Sequence, residues 1–97
     1  MIDNKIVTLK TVEKYISLTE EARRKATPFE LNEDNSEKLS SMMRMCDDYC
    51  SDAKYFLEKG DLVRAFGAIN YSHAWIDAAV RIGLMDGHED DVLFTLP

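Results

Sequence analysis

The chain has 97 residues, of which 45% are hydrophobic and 31% charged, and it carries a net charge of −6. This composition is typical of a globular domain and argues against a disordered chain, a nucleic-acid-binding protein and a membrane-spanning protein. Four Gly and two Pro are too few for a β-protein with many turns, so we expect one small helical domain over residues 1–97.

The first predicted helix covers residues 3–26. Its apolar residues recur three or four positions apart, which is the spacing of one helix face. They are Ile2, Ile6, Leu9, Val12, Ile16, Thr19, Ala22 and Ala26. Pro28 ends the helix, because the residue before a proline is disfavoured in helical geometry. The basic run Arg23-Arg24-Lys25 could contact nucleic acid, but we interpret it as a complement to the helix dipole.

The second predicted helix covers residues 35–59. Asp34 is its predicted N-cap, and Glu37, three residues later, would complete a capping box. Apolar residues from 39 to 57 then form a single core-facing side. Cys46 and Cys50 lie one turn apart on that side, and we expect them to behave as small buried hydrophobes. A structural metal site needs about four ligands, so we predict no metal there.

The third predicted helix covers residues 62–82 and follows the turn Lys59-Gly60-Asp61. Gly60 suits the left-handed position after a helix, and Asp61 can cap the next helix. So short a connection makes the second and third helices antiparallel neighbours. Gly83 is the predicted end of the third helix.

These elements predict an all-α fold, a three-helix up-and-down antiparallel bundle. The remaining residues, 84–97, form a tail that is acidic in its middle and apolar near its end. We expect this tail to pack on the third helix or on a partner.

The third helix carries apolar residues on two nearly opposite sides. One stripe suffices for a bundle, and it contains Leu62, Ala65, Phe66, Ile69, His73, Ile76, Val80 and Gly83. The second stripe contains Ala68, Tyr71, Trp75, Ala78 and Ile82. An aromatic patch of this kind should be covered, and we expect either the tail or a second protein to pack on Trp75. The candidate interaction surface is therefore Tyr71, Trp75, Ala78, Ile82, Leu93 and Phe94.

Polar residues on the same helix define a candidate binding pocket. His73 lies between Asn70 and Asp77, and Tyr49 of the second helix could complete the pocket. One interpretation makes His73 a neutral structural residue that pairs with a hydroxyl or carbonyl group, for example that of Tyr49. The other makes it a ligand or a base, although His73 and Asp77 alone are too few to hold a catalytic zinc ion. No catalytic residue and no cofactor are predicted, because phosphate loops, nucleophile elbows and metal motifs are absent from the sequence.

Two segments resemble a known family. Residues 52–61, DAKYFLEKGD, precede the pattern Asn-Tyr-x-His-x-Trp-x-Asp that begins at Asn70. Together they resemble domain-of-unknown-function family 357, which consists of small archaeal proteins, and the likeness covers roughly residues 49–85. The Leu93-Phe94-Thr95 ending looks similar as well. The resemblance implies a three-helix up-and-down bundle and no assigned activity.

We therefore expect a non-enzymatic module that binds itself or another protein through its third helix and tail. The alternative is a protein that binds a small molecule, a nucleotide or a metal in the pocket around Asn70, His73 and Asp77. The amino terminus lacks the pattern of a secretory signal, so we expect a cytoplasmic location.

Overall fold

The computed structural model describes residues 4–97, and within that range three helices pack together as an all-α bundle. Helix α1 covers Leu9–Lys25, α2 covers Glu33–Glu58 and α3 covers Leu62–Arg81. Two short strands, β1 (Thr27–Pro28) and β2 (Met85–Asp86), form an antiparallel pair. The predicted fold class is confirmed. None of the helices formed by the described residues is long and apolar enough to cross a membrane.

Helix α1 begins later than predicted. Residue 3 lies outside the described residues, and the helix begins at Leu9 because Thr8 is its N-cap, accepting a hydrogen bond from the Thr11 backbone N–H. Ile6 continues the apolar spacing but lies before the cap and is exposed. The predicted start was wrong because the spacing of apolar residues does not show where the cap lies.

The N-cap of α2 also differs from the prediction. Asn32 is the cap, and its side-chain oxygen accepts a hydrogen bond from the Asn35 backbone N–H at 2.8 Å. Glu33 and Asp34 therefore occupy the first turn, where carboxylates interact favourably with the positive end of the helix dipole. The predicted capping box of Asp34 and Glu37 was wrong because Asn caps a helix as well as Asp does.

The turn between α2 and α3 is as predicted. Gly60 has a φ of 77°, and the backbone N–H groups of Gly60 and Asp61 donate to the carbonyls of Leu57 and Phe56. This is a Schellman motif, and Asp61 then caps α3 by accepting from the Arg64 N–H. The same device ends α3, where Gly83 has a φ of 85°.

The tail is part of the core. One cluster of buried residues lies near the α2–α3 turn and includes Val12, Ile16, Ala53, Ala65 and Ile69. A second cluster includes Met43, Cys46, Ile76 and Val80, and the tail residues Leu84, Met85, Leu93 and Phe94 belong to it. The β1–β2 pair was not predicted from the sequence. It joins the α1–α2 connection to the start of the tail.

Two of the exposed glycines, Gly60 and Gly67, should respond oppositely to replacement by alanine. Gly60→Ala should lower the free energy of unfolding by about 1 kcal/mol, because an L residue is strained at its positive φ. Gly67 lies inside α3, and a Cβ there would have no heavy atom within 4 Å. Gly67→Ala should therefore raise the free energy of unfolding by about 0.5–1 kcal/mol through helix propensity. Urea titrations of both variants measure the two values, and equal effects would contradict the assignment.

Candidate functional site

His73 joins three parts of the chain. From the middle of α3, its Nδ1 lies 3.0 Å from Thr19 Oγ1 of α1, and its Nε2 lies 2.8 Å from the backbone oxygen of Leu93 in the tail. A carbonyl oxygen only accepts, so Nε2 carries the proton and donates it. In the neutral ring, Nδ1 then accepts from the hydroxyl of Thr19. Both ring nitrogens are paired, with a hydroxyl and a carbonyl as the structural interpretation requires, and Tyr49 is not the partner.

Asp77 and Arg81 hold the tail on the next two turns of α3. The carboxylate of Asp77 accepts from the backbone N–H and from the hydroxyl of Thr95, the latter at 2.9 Å. The Arg81 guanidinium donates to the backbone oxygen of Leu96. We call His73, Asp77 and Arg81 the tail clasp, because they lie four residues apart on α3 and bind successive parts of the tail.

A second set of contacts holds the tail to the end of α1. Lys25 Nζ lies 2.8 Å from Asp90 Oδ2, and Thr27 Oγ1 lies 2.9 Å from His88 Nε2. The hydrogen bond from Lys25 lowers the pKa of Asp90, and the backbone N–H of Leu93 contributes in the same direction. A Cβ at Gly87 would come within 2.9 Å of the ring of Phe94. The tail backbone at Gly87 therefore lies against the core, where any side chain larger than that of glycine would force the neighbouring side chains to move.

A cavity of about 300 Å³ lies between α1 and α3, and three of the four predicted pocket residues line it. Asn70, His73 and Asp77 are together there, with Tyr15 and Thr19 on the α1 side. Tyr49 is not at this cavity, and its ring packs edge-on against Tyr71 with centroids 4.5 Å apart. The polar atoms of His73 and Asp77 are already bound to Thr19 and to the tail. A ligand that bound those atoms in the cavity would therefore compete with Thr19 and with the tail.

A second cavity, of about 340 Å³, lies between α1 and α2. Cys46 and Cys50 line it. Two ion pairs between α1 and α2 also line it, Arg23–Asp47 and Lys54–Glu20, each with an N···O distance of 2.8 Å. The hydrogen bond that Arg23 donates to Asp47 raises the pKa of Arg23, and burial raises the pKa of both thiols. Across residues 4–97, no three His, Cys, Asp or Glu side chains are grouped so that they could hold a metal ion.

The structure separates the residues of the predicted interaction surface. Leu93 and Phe94 are core residues, with Phe94 only 4% exposed. Trp75 is half-buried against the core cluster that contains Met43 and Cys46 of α2. Within the described part of the chain, its buried indole Nε1 has no hydrogen-bond partner.

The hydrogen bonds that hold the tail lie on another flank of α3. The tail clasp begins at His73, about 160° around the helix from Trp75. The core cluster on which Trp75 packs contains Leu93 and Phe94 as well as residues of α2, so packing of the tail on Trp75 stays a prediction. Tyr71, Ala78 and Ile82 stay exposed, and their role in interaction stays a prediction.

These three residues belong to a longer exposed strip on α3. Its members are apolar or small, and they follow one another at spacings of four, four, three, four and four. They are Val63, Gly67, Tyr71, Ala74, Ala78 and Ile82. We call this strip the outer α3 face. Val63, Gly67 and Ala74 were not among the predicted surface residues, although their helical spacing from Tyr71 was a signal for them.

The model of the DUF357 family, described as a protein of unknown function, matches residues 14–85. The chain belongs to the DUF357 family. The match to the DUF357 family covers α2, α3 and all but the first residues of α1. It includes the three residues of the tail clasp. It ends before Leu93, so the tail residues that the clasp binds lie beyond it. No curated protein and no solved structure matches the chain.

Removing the Asp77 carboxylate should loosen the tail. Asp77→Ala removes the acceptor of two hydrogen bonds, and hydrogen bonds to a charged group contribute about 1.5–3 kcal/mol each, less where the group is exposed to water. We expect the free energy of unfolding to fall by about 1–2 kcal/mol and the Thr95 amide to exchange faster. Asp48→Ala, on the exposed side of α2, is the matched control and should leave both unchanged. Unchanged exchange at Thr95 in Asp77→Ala would contradict the clasp.

The two thiols should react slowly in the folded chain. Burial raises their pKa values above the ordinary 9.0, so the folded state keeps them protonated, and Cys46 is more buried than Cys50. A disulfide reagent at pH 8 measures the reaction rates. Cys50, the thiol that remains in Cys46→Ser, should react faster than Cys46, the thiol that remains in Cys50→Ser. Both thiols should react more slowly in the folded chain than in denaturant.

The same pKa shifts predict the response to alkali. Unfolded thiols ionise near pH 9 while folded ones stay neutral, so the stability that they contribute is present below pH 9. It is lost as the pH rises through the higher folded pKa values. Urea titrations between pH 7 and pH 10 measure this loss, and stability that increased above pH 9 would contradict it.

Proposed function

We propose that this DUF357 chain is a non-enzymatic protein-interaction module and that the outer α3 face is its contact surface. The observation that carries the proposal is the exposure of large apolar side chains along α3. Val63 is 76% exposed, Ile82 is 65% exposed and Tyr71 is 46% exposed. Contiguous apolar surface of this kind on a soluble protein marks a site of interaction.

The composition of the face supports the proposal. No carboxylate lies on it, although the chain carries 18 acidic residues. From Val63 to Ile82 it extends for about 28 Å along the helix. The exposed arginines Arg64 and Arg81 lie at its two edges. An apolar strip of this length with charged edges is what one helix presents to another when an amphipathic helix packs against a partner.

The rigidity of α3 supports the proposal as well. Helix α2 packs on one flank, where Ser72 Oγ donates to the Cys46 carbonyl at 2.6 Å. Helix α1 and the tail pack on the other flank through His73. A helix held on both sides loses little conformational entropy when its third side binds a partner.

The pairing of His73 and Asp77 argues against the alternative of a ligand-binding pocket at Asn70, His73 and Asp77. A ligand that used those two side chains would have to displace the tail from α3. Existing ion pairs also argue against nucleic-acid binding by the basic run, because Arg23 pairs with Asp47 and Lys25 pairs with Asp90. Of the basic run, Arg24 alone has no ion pair among the described residues.

The proposed setting is the cytoplasm. Cys46 and Cys50 are free thiols. Free thiols are usual in proteins of a reducing compartment.

A charge placed on the outer α3 face should weaken the binding of a protein partner. Ile82→Lys puts an ammonium group on the face, and a cation at a helix C-terminus is well tolerated, so the fold should be kept. Val92→Lys is the matched control, since Val92 is 84% exposed and lies in the tail. The tagged full chain is used to capture proteins from native cell extract, and circular dichroism checks the fold of each variant. We expect Ile82→Lys to weaken capture at least tenfold and Val92→Lys to leave it unchanged. Equal capture by both variants would overturn the proposal.

A further inference from the structure

We infer that Cys46 and Cys50 form a binding site for a soft monovalent metal ion, Cu(I), held between their two sulfur atoms. Both thiols are free, they lie four residues apart on α2, and they line the same cavity between α1 and α2. Neither cysteine belongs to the outer α3 face, so this site is independent of the proposed function.

The spacing of the two cysteines on α2 keeps them from forming a disulfide with each other. Side chains four positions apart on a helix have Cβ atoms about 5–6 Å apart. A disulfide needs Cβ atoms about 3.5–4.5 Å apart, so Cys46 and Cys50 cannot join without distorting α2. Metal–thiolate bonds are about 2.3 Å long, so an ion in line between two sulfurs separates them by about 4.6 Å. The pair is therefore too wide for a disulfide and wide enough for a bridging ion.

The number of available ligands selects the kind of ion. Across residues 4–97, no third His, Cys, Asp or Glu side chain joins this pair in a group that could hold a metal ion. Zinc takes three or four ligands from a protein, and calcium and magnesium take oxygen ligands. Cu(I) prefers soft thiolate ligands and is stable with two of them in line. The cysteine pair therefore suits Cu(I) better than zinc.

The charges around the cavity match a monovalent ion. Two thiolates and one Cu(I) together carry a single negative charge. The cavity is lined by three cationic and two anionic side chains, which leaves a surplus of one positive charge. They are Arg23, Arg24 and Lys54, and Glu20 and Asp47. A chain with a net charge of −6 thus has a local positive surplus where the anionic complex would form.

The two thiols become thiolates when the metal ion binds. Burial raises the pKa of each thiol, and the negative charge of a Cys46 thiolate would add to the rise at Cys50. The ammonium group of Lys54 lowers the pKa of Cys50, and the hydroxyl of Ser72 lowers that of Cys46. A metal ion deprotonates a coordinating thiol and places a positive charge between the two sulfurs. Two protons leave to solvent, two Cu–S bonds form, and copper stays in the +1 state.

Cys50 gives the ion a route to the buried thiol. Cys50 is half-buried, whereas Cys46 is only 1% exposed. An ion that reached Cys50 from solvent would meet Cys46 one turn away on α2. Burial of Cys46 then shields one side of the ion from water and from competing ligands.

Competition for Cu(I) tests the site on the full chain. Under anaerobic conditions, Cu(I) is divided between the protein and a coloured Cu(I) chelator, whose absorbance reports how much the protein takes. We expect one Cu(I) per wild-type chain. Cys50→Ser should weaken binding by about 100-fold or more, since losing even an outer-shell partner costs about 10–100-fold. Ser51→Ala is the matched control, because Ser51 lines the cavity without being a ligand, and it should bind like the wild type.

The buried cysteine needs a substitution that keeps the fold. Cys46→Ala exchanges one small buried residue for another, and circular dichroism checks each variant. Its loss of Cu(I) binding should equal that of Cys50→Ser, which tests the pair even if Cys46→Ala does not fold. Wild-type affinity in a folded single variant, or two Cu(I) ions per wild-type chain, would mean that each thiol binds alone. Either result would overturn the inference.

The surroundings of the ion are tested separately. X-ray absorption at the copper edge should show two sulfur neighbours, and three would overturn the two-thiolate site. Arg24→Gln should weaken Cu(I) binding, whereas Arg44→Gln, an equal change of charge outside the cavity, should not. Equal effects of these two variants would overturn the charge match. Zinc bound as tightly as Cu(I) would overturn the choice of ion.

Discussion

The coverage of α3 along two flanks at once is the constraint on which the rest of the fold depends. This helix is apolar around most of its circumference, and such a helix is stable in water only when neighbours bury it. Helix α2 covers the flank of Trp75, and α1 and the tail cover the flank of His73. Among residues 4–97, neither neighbour covers the outer α3 face, which therefore stays exposed.

Three polar residues of α3 have their hydrogen-bond partners within the fold. His73, Asp77 and Arg81 lie one turn apart, and each binds a group of the tail. Backbone groups of an irregular segment need hydrogen-bond partners when they are drawn against a core. The tail clasp supplies them, which explains why an otherwise apolar helix carries an imidazole, a carboxylate and a guanidinium in one line.

Local signals were sufficient for the elements that depend on a few neighbouring residues. The Gly60 turn and the Asp61 cap were predicted correctly, because a left-handed glycine and a capping carboxylate act within one or two turns of the helix. The cap of α2 was misplaced by two residues because Asn32 and Asp34 are equally good caps.

The position of the tail could not be predicted from local signals. It depends on contacts of His73 with Thr19, 54 residues before it, and with Leu93, 20 residues after it. The cavity residues Asn70, His73 and Asp77 were predicted together because they share one flank of a single helix, and Tyr49 was misplaced because it lies on another helix.

The double pairing of His73 also has a consequence for how the bundle folds. The contacts between α2 and α3 are close in sequence and can form early, because short loops close at little entropic cost. The imidazole reaches its final environment only when the amino-terminal helix has brought its threonine hydroxyl and the last residues have brought a carbonyl. Residues from α1 and from the tail thus meet at one ring, so the ordering of either segment favours the ordering of the other. The docking of α1 and the docking of the tail are thereby coupled through a single side chain.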